Sequence, residues 1–252
     1  MIPAWANQSN KTINHIYPLL ILISMETKVS TGTAEMDWLL EGGYDKGVIT
    51  TIYGPAGSGK TNICIITAVH IAKQNKKVIY IDTEGSFSVE RLKQIAGEDE
   101  YKKIIDNIIF LKPTSFSEQR SAFGKLSRLI EADIGIIIVD TISMLYRIEI
   151  GKTNDVYTVN KDLGTQISYL NEITRRKDIP VLITNQVYAS FDEKENIRLV
   201  GGDILKYQSK CLIELQKGHN GIRKAILKKH RSIAEDKVEM FKIVGEGIVE
   251  VS

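Results

Sequence analysis

Apolar runs alternate with stretches of helical spacing along most of the chain. The runs typical of buried strands are VITTIY (48–53), KKVIYIDT (76–83), IIFLKP (108–113), GIIIVD (135–140) and VLITNQV (181–187). Helices are predicted at VSTGTAEMDWLLEGG (29–43), residues 62–73, SVERLKQIA (88–96), FSEQRSAFGKLSRLIEA (116–132) and residues 156–177. Continuous apolar strands separated by helices predict an α/β fold with a mostly parallel central sheet, covered by helices on both faces.

The pattern changes after Gly202, where helical spacing gives way to short strands joined by glycine turns. These strands are SKCLIELQK (209–217), IRKAILKKH (222–230) and the two halves of VEMFKIVGEGIVEV (238–251). They predict a small antiparallel extension at one edge of the sheet. Because the chain shows no internal repeat and no low-complexity linker, we expect one domain from residue 25 to residue 252.

Residues 1–24 show neither the helical nor the strand periodicity of the rest of the chain. Their short apolar run IYPLLILI (16–23) is interrupted by Pro18. This run is too short to span a bilayer, which needs about 20 residues, and no signal-peptide cleavage site follows it. Three interpretations stay open: a start site assigned upstream of Met25, a disordered arm, or a strand that pairs with a neighbouring subunit.

Composition excludes some classes of protein but does not identify one. The net charge is +2 over 252 residues, and the apolar and charged fractions are ordinary for a globular protein. Cys64 and Cys211 lie far apart without metal-ligand spacing, so a reducing, cytoplasmic location is expected. The histidines show no metal spacing either, and no metal site built from protein ligands alone is predicted.

The sequence GPAGSGKT (54–61) carries the first chemical signal. It fits the phosphate-binding pattern G-x-x-x-x-G-K-[ST], and it lies between a predicted strand and a predicted helix, as that pattern requires. Backbone N–H groups of such a loop bind phosphates, the lysine reaches the β and γ phosphates, and the hydroxyl binds Mg²⁺. The predicted ATP-binding residues are Gly54, Pro55, Ala56, Gly57, Ser58, Gly59, Lys60, Thr61 and Asn62.

Three other strands end in polar side chains that suit the same chemistry. Asp140 ends an apolar strand and is predicted, with Thr61, to hold Mg²⁺ through the nucleotide. Asp82 and Glu84 follow the second strand, where a carboxylate could polarise an attacking water. Asn185 and Gln186 end VLITNQV, where a neutral amide could bond both a γ-phosphate oxygen and a neighbouring loop.

Together these segments resemble a known family in order and spacing. STGTAEMDWLLEGGYDKGVITTIYGPAGSGKT, YIDTEGSFSVERLKQIA, IIIVDTISMLYR and LITNQVYA with LVGGD resemble the core of the RecA-type recombinases. The resemblance is to the archaeal RadA group and most of all to its short RadB paralogues, and it covers about Lys28 to Val251. It implies a RecA-like P-loop NTPase core.

The resemblance also implies roles for single residues. Glu84 would activate the attacking water, Gln186 would sense the γ-phosphate, and Arg91 would stack on adenine or contact its edge. It implies weak ATP hydrolysis, sequence-independent DNA binding and an assisting role in recombination and repair. By the same resemblance, a RadA-type recombinase and a Holliday junction resolvase are candidate partners, and self-association is possible for the fold.

Departures from the family pattern argue against efficient strand exchange. Residues 1–24 stand where RadA-type proteins carry a helical DNA-binding domain and an aromatic-x-x-Ala polymerisation segment. VYASFDEKENIRL (187–199) carries Asp192, Glu193 and Glu195, with Asp203 further on, against Lys194 and Arg198. An acidic loop suits a DNA backbone poorly.

The candidate DNA contacts are basic residues in two places. Residues 204–232 contain one acid, Glu214, and eight cations, for a net charge of +7: Lys206, Lys210, Lys217, Arg223, Lys224, Lys228, Lys229 and Arg231. Within KKHR, Lys228, Lys229 and Arg231 are candidate phosphate contacts, although a solvated strand edge gives the same pattern. Lys229 or Arg231 could instead reach the nucleotide of an adjacent subunit. Arg147 and Lys152, after the Asp140 strand, form the second candidate DNA site.

Two other functions compete with a DNA-binding ATPase. One is a signalling autokinase of the KaiC type, which also uses a RecA core but shows two adjacent glutamates where this chain has the single Glu84. The other is a structural paralogue whose ATP site stabilises a partner complex without turnover.

Overall fold

The computed structural model describes residues 27–130, 133–188 and 198–251. Its strands are β1 (Lys28–Val29), β2 (Tyr44–Asp45), β3 (Ile49–Gly54), β4 (Lys77–Asp82), β5 (Ile108–Leu111), β6 (Ile134–Asp140), β7 (Val181–Tyr188), β8 (Arg198–Leu199), β9 (Cys211–Lys217), β10 (Ile222–Lys229), β11 (Val238–Val244) and β12 (Gly247–Glu250). Its helices are α1 (Ala34–Leu39), α2 (Lys60–Lys73), α3 (Val89–Ala96), α4 (Tyr101–Asp106), α5 (Phe116–Leu129), α6 (Met144–Ile150), α7 (Val156–Lys177) and α8 (Asp203–Gln208).

One large sheet organises these elements, with the strand order β12-β11-β10-β9-β3-β7-β6-β4-β5. The pairs from β9 to β5 are parallel, and the pairs from β9 to β12 are antiparallel. The predicted α/β fold, with a mostly parallel sheet and a small antiparallel C-terminal extension, is therefore confirmed. β3 lies in the middle of this sheet, so the phosphate loop that follows it begins between two neighbouring strand ends, those of β7 and β9.

Helices bury both faces of the parallel sheet. Along β6, Ile136 and Ile138 pack into the core beneath α2, while Ile137 and Val139 pack into the core beneath α5 and α7. This alternation is why the strands read as continuous apolar runs, since each face needs its own apolar residues. The covered sheet gives the loops at its carboxyl edge a rigid base.

Helix caps explain several boundaries that the sequence predicted. Thr33, Ser88 and Ser115 each accept a hydrogen bond from a backbone N–H in the first turn of α1, α3 and α5, which satisfies a donor that the helix itself leaves free. Asp155 caps α7 in the same way. The caps of α3, α5 and α7 place these helix starts within one residue of the predicted positions. Helix α1 begins at Ala34, five residues after the start of the predicted segment, because β1 occupies Lys28–Val29.

The strand β9, the first of the large sheet after Gly202, was predicted to belong to the antiparallel extension, but one of its two pairings is parallel. β9 runs parallel to β3, with Thr50 opposite Cys211 and Tyr53 opposite Glu214. It therefore belongs to the parallel sheet, and the antiparallel extension begins at β10. The physical reason is the short helix α8, which the sequence analysis did not predict and which precedes β9 on the path from β7 to the other side of β3.

Candidate nucleotide site

The phosphate loop (residues 54–61) joins the end of β3 to the first turn of α2. Gly59, the residue before α2, has a φ of 108°, which glycine adopts without a steric penalty. A Cβ on Gly54 would lie 2.4 Å from the backbone oxygen of Leu215 on β9, so a side chain there would collide with backbone. Both glycines are thus required by the wound loop, whose N–H groups and helix N-terminus suit an anion.

Lys60 begins α2, and its side chain folds back over the loop. Its Nζ donates to the carbonyl oxygens of Gly54 and Pro55, at 2.9 Å each, and the residue is buried. Burial lowers the pKa of Lys60, while the carboxylates of Asp140 and Glu84 act in the opposite direction. A buried cation is therefore held inside the loop, where the β and γ phosphates of a nucleotide would lie.

Asp140, at the end of β6, is fully buried and is held by three hydroxyl groups. Its Oδ2 accepts from Tyr80 at 3.0 Å and from Ser86 at 3.3 Å, and its Oδ1 accepts from Thr184 at 2.5 Å. The Ser86 hydroxyl also lies 3.4 Å from the Thr61 hydroxyl. Ser86 thus links the two residues predicted to hold the metal, and the sequence analysis did not single it out.

The residues around Thr61 fit a magnesium-bound nucleotide. Hydroxyl and carboxylate oxygens are the ligands that Mg²⁺ prefers, and Thr61, Ser86 and Asp140 provide both kinds. Within the loop, the buried hydroxyl of Ser58 has no hydrogen-bond partner among the described residues, as expected of a group that faces a ligand. Thr61 and Asp140 would hold the ion, which would neutralise charge on the phosphates.

The two acids after β4 have different surroundings. Asp82 is buried and accepts two backbone N–H groups of the following turn, at 3.1 and 3.2 Å, so it shapes that turn. Glu84 is exposed, and its Oε1 accepts from the Thr141 hydroxyl at 2.9 Å. No donor among the described residues is directed at Oε2 of Glu84. Of the two acids, Glu84 therefore keeps an oxygen available for a water.

Gln186 lies between Glu84 and a cation. Its side-chain amide donates to Glu84 Oε1 at 2.6 Å, and its carbonyl oxygen accepts from Arg147 Nη1 at 2.7 Å. Gln186 is also the register partner of Gly54, which begins the phosphate loop. The row Glu84–Gln186–Arg147 thus connects the edge of the nucleotide site to α6. The neighbouring Asn185 is buried and donates to the carbonyl of Val200 at 2.9 Å.

Arg91, expected near adenine by family resemblance, connects the nucleotide helix to the C-terminal hairpin. Its Nε donates to the side chain of Asn62 at 2.7 Å. Its two terminal nitrogens donate to the carbonyls of Val244, Gly245 and Gly247 at 2.7, 2.8 and 3.2 Å. Burial lowers the pKa of Arg91. The guanidinium lies beside the residue that follows Thr61, and its role toward adenine stays a prediction.

The candidate DNA-contacting cations fall into two groups. Arg147 and Lys152 are exposed around α6. Lys228 instead pairs with Asp236 at 2.6 Å, and Lys229 donates to two backbone carbonyls at the end of α8, at 2.8 Å each. The structure thus gives Lys228 and Lys229 partners inside the protein that the sequence did not reveal.

Arg231 belongs to a cluster around a buried carboxylate. Asp45 lies 3.0 Å from Arg231 Nε, 3.3 Å from His230 Nε2 and 3.6 Å from Lys28 Nζ. Burial alone would raise the pKa of Asp45, but the His230 hydrogen bond and the charges of Lys28 and Arg231 lower it overall. The sequence analysis assigned His230 no role, and the structure places its ring against Asp45. The cluster ties β2 to the segment after β10.

Two of the segments singled out in the sequence lie outside the residues that the structure describes. IYPLLILI and the acidic part of the loop after Gln186, residues 189–197, lie outside them. Among the described residues, no three His, Cys, Asp or Glu side chains are grouped closely enough to hold a metal ion. The described helices include none with the length and hydropathy of a membrane span.

These features define a P-loop NTPase of the RecA type. The Rad51 family model matches residues 24–251. The DNA repair and recombination protein RadB of Methanobrevibacter smithii is 45% identical over 228 residues, which cover 88% of this chain and 95% of that protein. The protein of the same name from Methanocaldococcus jannaschii is 44% identical and covers 83% of this chain and 96% of its own. A crystal structure of the RadB recombinase superposes with a TM-score of 0.76 at 34% identity, over 88% of this chain and 99% of that one. The chain belongs to the Rad51 family and, within it, to the RadB group.

Proposed function

We propose that this protein binds ATP with Mg²⁺, hydrolyses it slowly, binds DNA without sequence preference, and assists homologous recombination and DNA repair. The observation that carries the nucleotide part is the arrangement around the phosphate loop. Lys60 is buried inside the loop, and Thr61 is linked through Ser86 to Asp140. The cation for the phosphates and the oxygen ligands for the metal therefore lie together at the phosphate loop, which supports binding of MgATP.

Glu84 is the proposed residue that orients the attacking water. Its Oε2 is open, while its Oε1 is held by Thr141 and Gln186. A positioned carboxylate can accept a proton from water in the transition state. We infer slow turnover from the chain's membership of the RadB group.

Glu84→Gln tests hydrolysis separately from binding. We expect this variant to bind ATP within about threefold of wild type and to lose at least about tenfold in turnover, since general-base catalysis contributes roughly 10²–10⁴-fold. Glu98→Gln is the matched control, because Glu98 is also exposed but lies beyond α3. Equal turnover in the wild type and in Glu84→Gln would favour a structural role for bound ATP.

We place the DNA contact on the side of Arg147 and Lys152. Both are exposed cations, and Arg147 bonds to Gln186, which bonds to Glu84. A DNA phosphate that binds Arg147 would compete with Gln186 for the guanidinium, which gives DNA a route to the nucleotide site. Lys228, Lys229 and Arg231 are the alternative DNA contact, and each of them, like Arg147, has a partner within the chain.

The salt dependence of DNA affinity distinguishes the two candidate DNA contacts. Each phosphate contact contributes about 0.7 to the log–log salt slope on single strands and about 0.9 on duplex DNA. We therefore expect the Arg147→Ala, Lys152→Ala variant to flatten the slope by roughly 1.4 to 1.8, equally for different sequences. The triple alanine variant of Lys228, Lys229 and Arg231 should change it by less than about 1. The reverse result would move the DNA contact to the segment after β10.

The assisting role is supported by family membership and by the acidic residues Asp192, Glu193 and Glu195 in the sequence after Gln186. The relatives from Methanobrevibacter smithii and Methanocaldococcus jannaschii are named as proteins of DNA repair and recombination. We infer little or no strand exchange by this chain alone and an interaction with a RadA-type recombinase or a Holliday junction resolvase. A strand-exchange assay with the purified chain, and with a RadA-type recombinase added, tests this. Efficient exchange by the chain alone would contradict the assisting role.

A further inference from the structure

A lysine outside the phosphate-binding motif lies against the phosphate loop. Lys217 is the last residue of β9, and its Nζ lies 3.0 Å from the position that a Cβ on Gly57 would occupy, with its Cε at 3.3 Å. Gly57 belongs to the exposed rim of the loop. The absence of a side chain at Gly57 therefore lets the ammonium group rest directly on the loop.

Strand pairing fixes where the Lys217 side chain starts. β9 is parallel to β3, with Glu214 opposite Tyr53, and the backbone oxygen of Leu215 is within 2.4 Å of the Cβ position on Gly54. Lys217 follows two residues after this contact. Because both strands belong to the central sheet, its backbone is held beside the loop, and the side chain has little distance to cover.

Among the described residues, no carboxylate or other hydrogen-bond acceptor lies within bonding distance of the ammonium group of Lys217. The acid on the same strand, Glu214, is buried and accepts a hydrogen bond from Gln216 at 2.6 Å. Burial contributes most to lowering the pKa of Lys60, and the charge of Lys217 acts in the same direction. The two ammonium groups repel each other at this loop, and a bound anion would relieve that repulsion.

We propose that Lys217 is a second phosphate-binding cation of the nucleotide site, contacting the polyphosphate of ATP or ADP from the open rim of the loop. This inference rests on the proposed binding of ATP. DNA phosphates are the competing source of the same chemistry, because Lys217 belongs to the basic segment 204–232. Its contact with the loop that holds Lys60 favours the nucleotide.

The test is a set of equilibrium titrations on the full chain with MgATP, MgADP and single-stranded DNA. We expect Lys217→Met to raise the Kd for both nucleotides about tenfold, the size of one charge-assisted hydrogen bond. Lys217→Arg should stay within about threefold of wild type, because it keeps the cation. Lys210→Met is the matched control, since Lys210 is exposed just before the opposite end of β9, and it should leave the Kd for nucleotide unchanged.

DNA titrations without nucleotide complete the test. Lys217→Met should keep the wild-type DNA affinity and salt slope. Unchanged nucleotide affinity in Lys217→Met would overturn the proposal, and a slope loss of about 0.7 in that variant would assign Lys217 to the DNA surface instead. If the wild type binds neither nucleotide, the proposed function fails, and the role of Lys217 fails with it. Wild-type binding that Lys217→Met leaves intact would overturn the Lys217 role alone.

Discussion

Removing the Tyr80 hydroxyl tests whether Asp140 is a buried carboxylate held by hydroxyl donors. Tyr80 is fully buried on β4 and donates to Asp140 Oδ2 at 3.0 Å. Burial, followed by the Asp140 charge, raises the pKa of Tyr80 well above its usual value, so the hydroxyl stays protonated and can donate. Phe87 and Phe110 lie 5.0 and 5.9 Å from its ring and should keep the ring in place in Tyr80→Phe.

The expected loss follows from the charge on the acceptor. A hydrogen bond to a charged group contributes about 1.5–3 kcal/mol, against about 0.5–1.5 kcal/mol for a neutral pair. We therefore expect Tyr80→Phe to lower the free energy of unfolding by about 1.5–3 kcal/mol. In a chain of this size the melting temperature should fall by about 2–4 °C per kcal/mol. Ser86 and Thr184 still hold Asp140, so binding of MgATP should change little.

Tyr44→Phe is the matched control. Tyr44 is also fully buried, but its hydroxyl lies 3.3 Å from the neutral hydroxyl of Thr67, so its loss should be about 0.5–1.5 kcal/mol. Urea unfolding followed by two spectroscopic probes measures both variants and checks that the transition is two-state. If the two variants lose equal stability, Tyr80 does not donate to an ionised Asp140, and this account of the metal-side network is wrong.

Three further predictions concern single charges. Lys60→Ala should abolish ATP binding, because it removes the buried cation from the loop, and a Kd within threefold of wild type in a fluorescent-nucleotide titration would refute that role. Asp140→Asn should weaken ATP binding far more with Mg²⁺ than with a chelator present, and an equal loss under both conditions would exclude Asp140 from the metal site. Asp45→Asn should cost about 1.5–3 kcal/mol near neutral pH. Because the folded pKa of Asp45 is lowered, its contribution is present above the unfolded value of about 3.9 and is lost as pH falls through the folded pKa. The unfolding free energies of the wild type and Asp45→Asn should therefore begin to approach each other as pH falls below about 4, and a constant gap down to pH 3 would contradict this.

Local patterns in the sequence predicted the parallel sheet and most of its helices, because those elements depend on periodicity and caps. Residues 156–177 form α7 as predicted, and GPAGSGKT lies between β3 and α2. The orientation of β9 could not be predicted in the same way. Short strands look alike in parallel and antiparallel pairs, and the difference depends on where α8 brings the chain.

The site shows the same division between local and long-range information. The motif residues Lys60 and Thr61 could be recognised from spacing, while Ser86 contacts Asp140 across 54 residues of sequence. The partners of KKHR could not be predicted either, since Asp45 lies far away in the chain and is brought to Arg231 and His230 by the fold. Charge counts along a segment do not reveal which cations are already paired.

We expect bound nucleotide to change the affinity for DNA, because Arg147 is joined through Gln186 to Glu84 at the nucleotide site. Labelled single-stranded, duplex and branched DNA would be titrated with the chain in the presence of MgATP, of MgADP and without nucleotide, at one fixed salt concentration. We predict that MgATP changes the affinity for at least one DNA form by about fivefold or more, a typical coupling between two linked sites. Arg147→Ala should remove that difference, because it breaks the row that joins Arg147 through Gln186 to Glu84. Identical DNA affinities in all three nucleotide conditions, with MgATP binding verified in the same samples, would contradict the account.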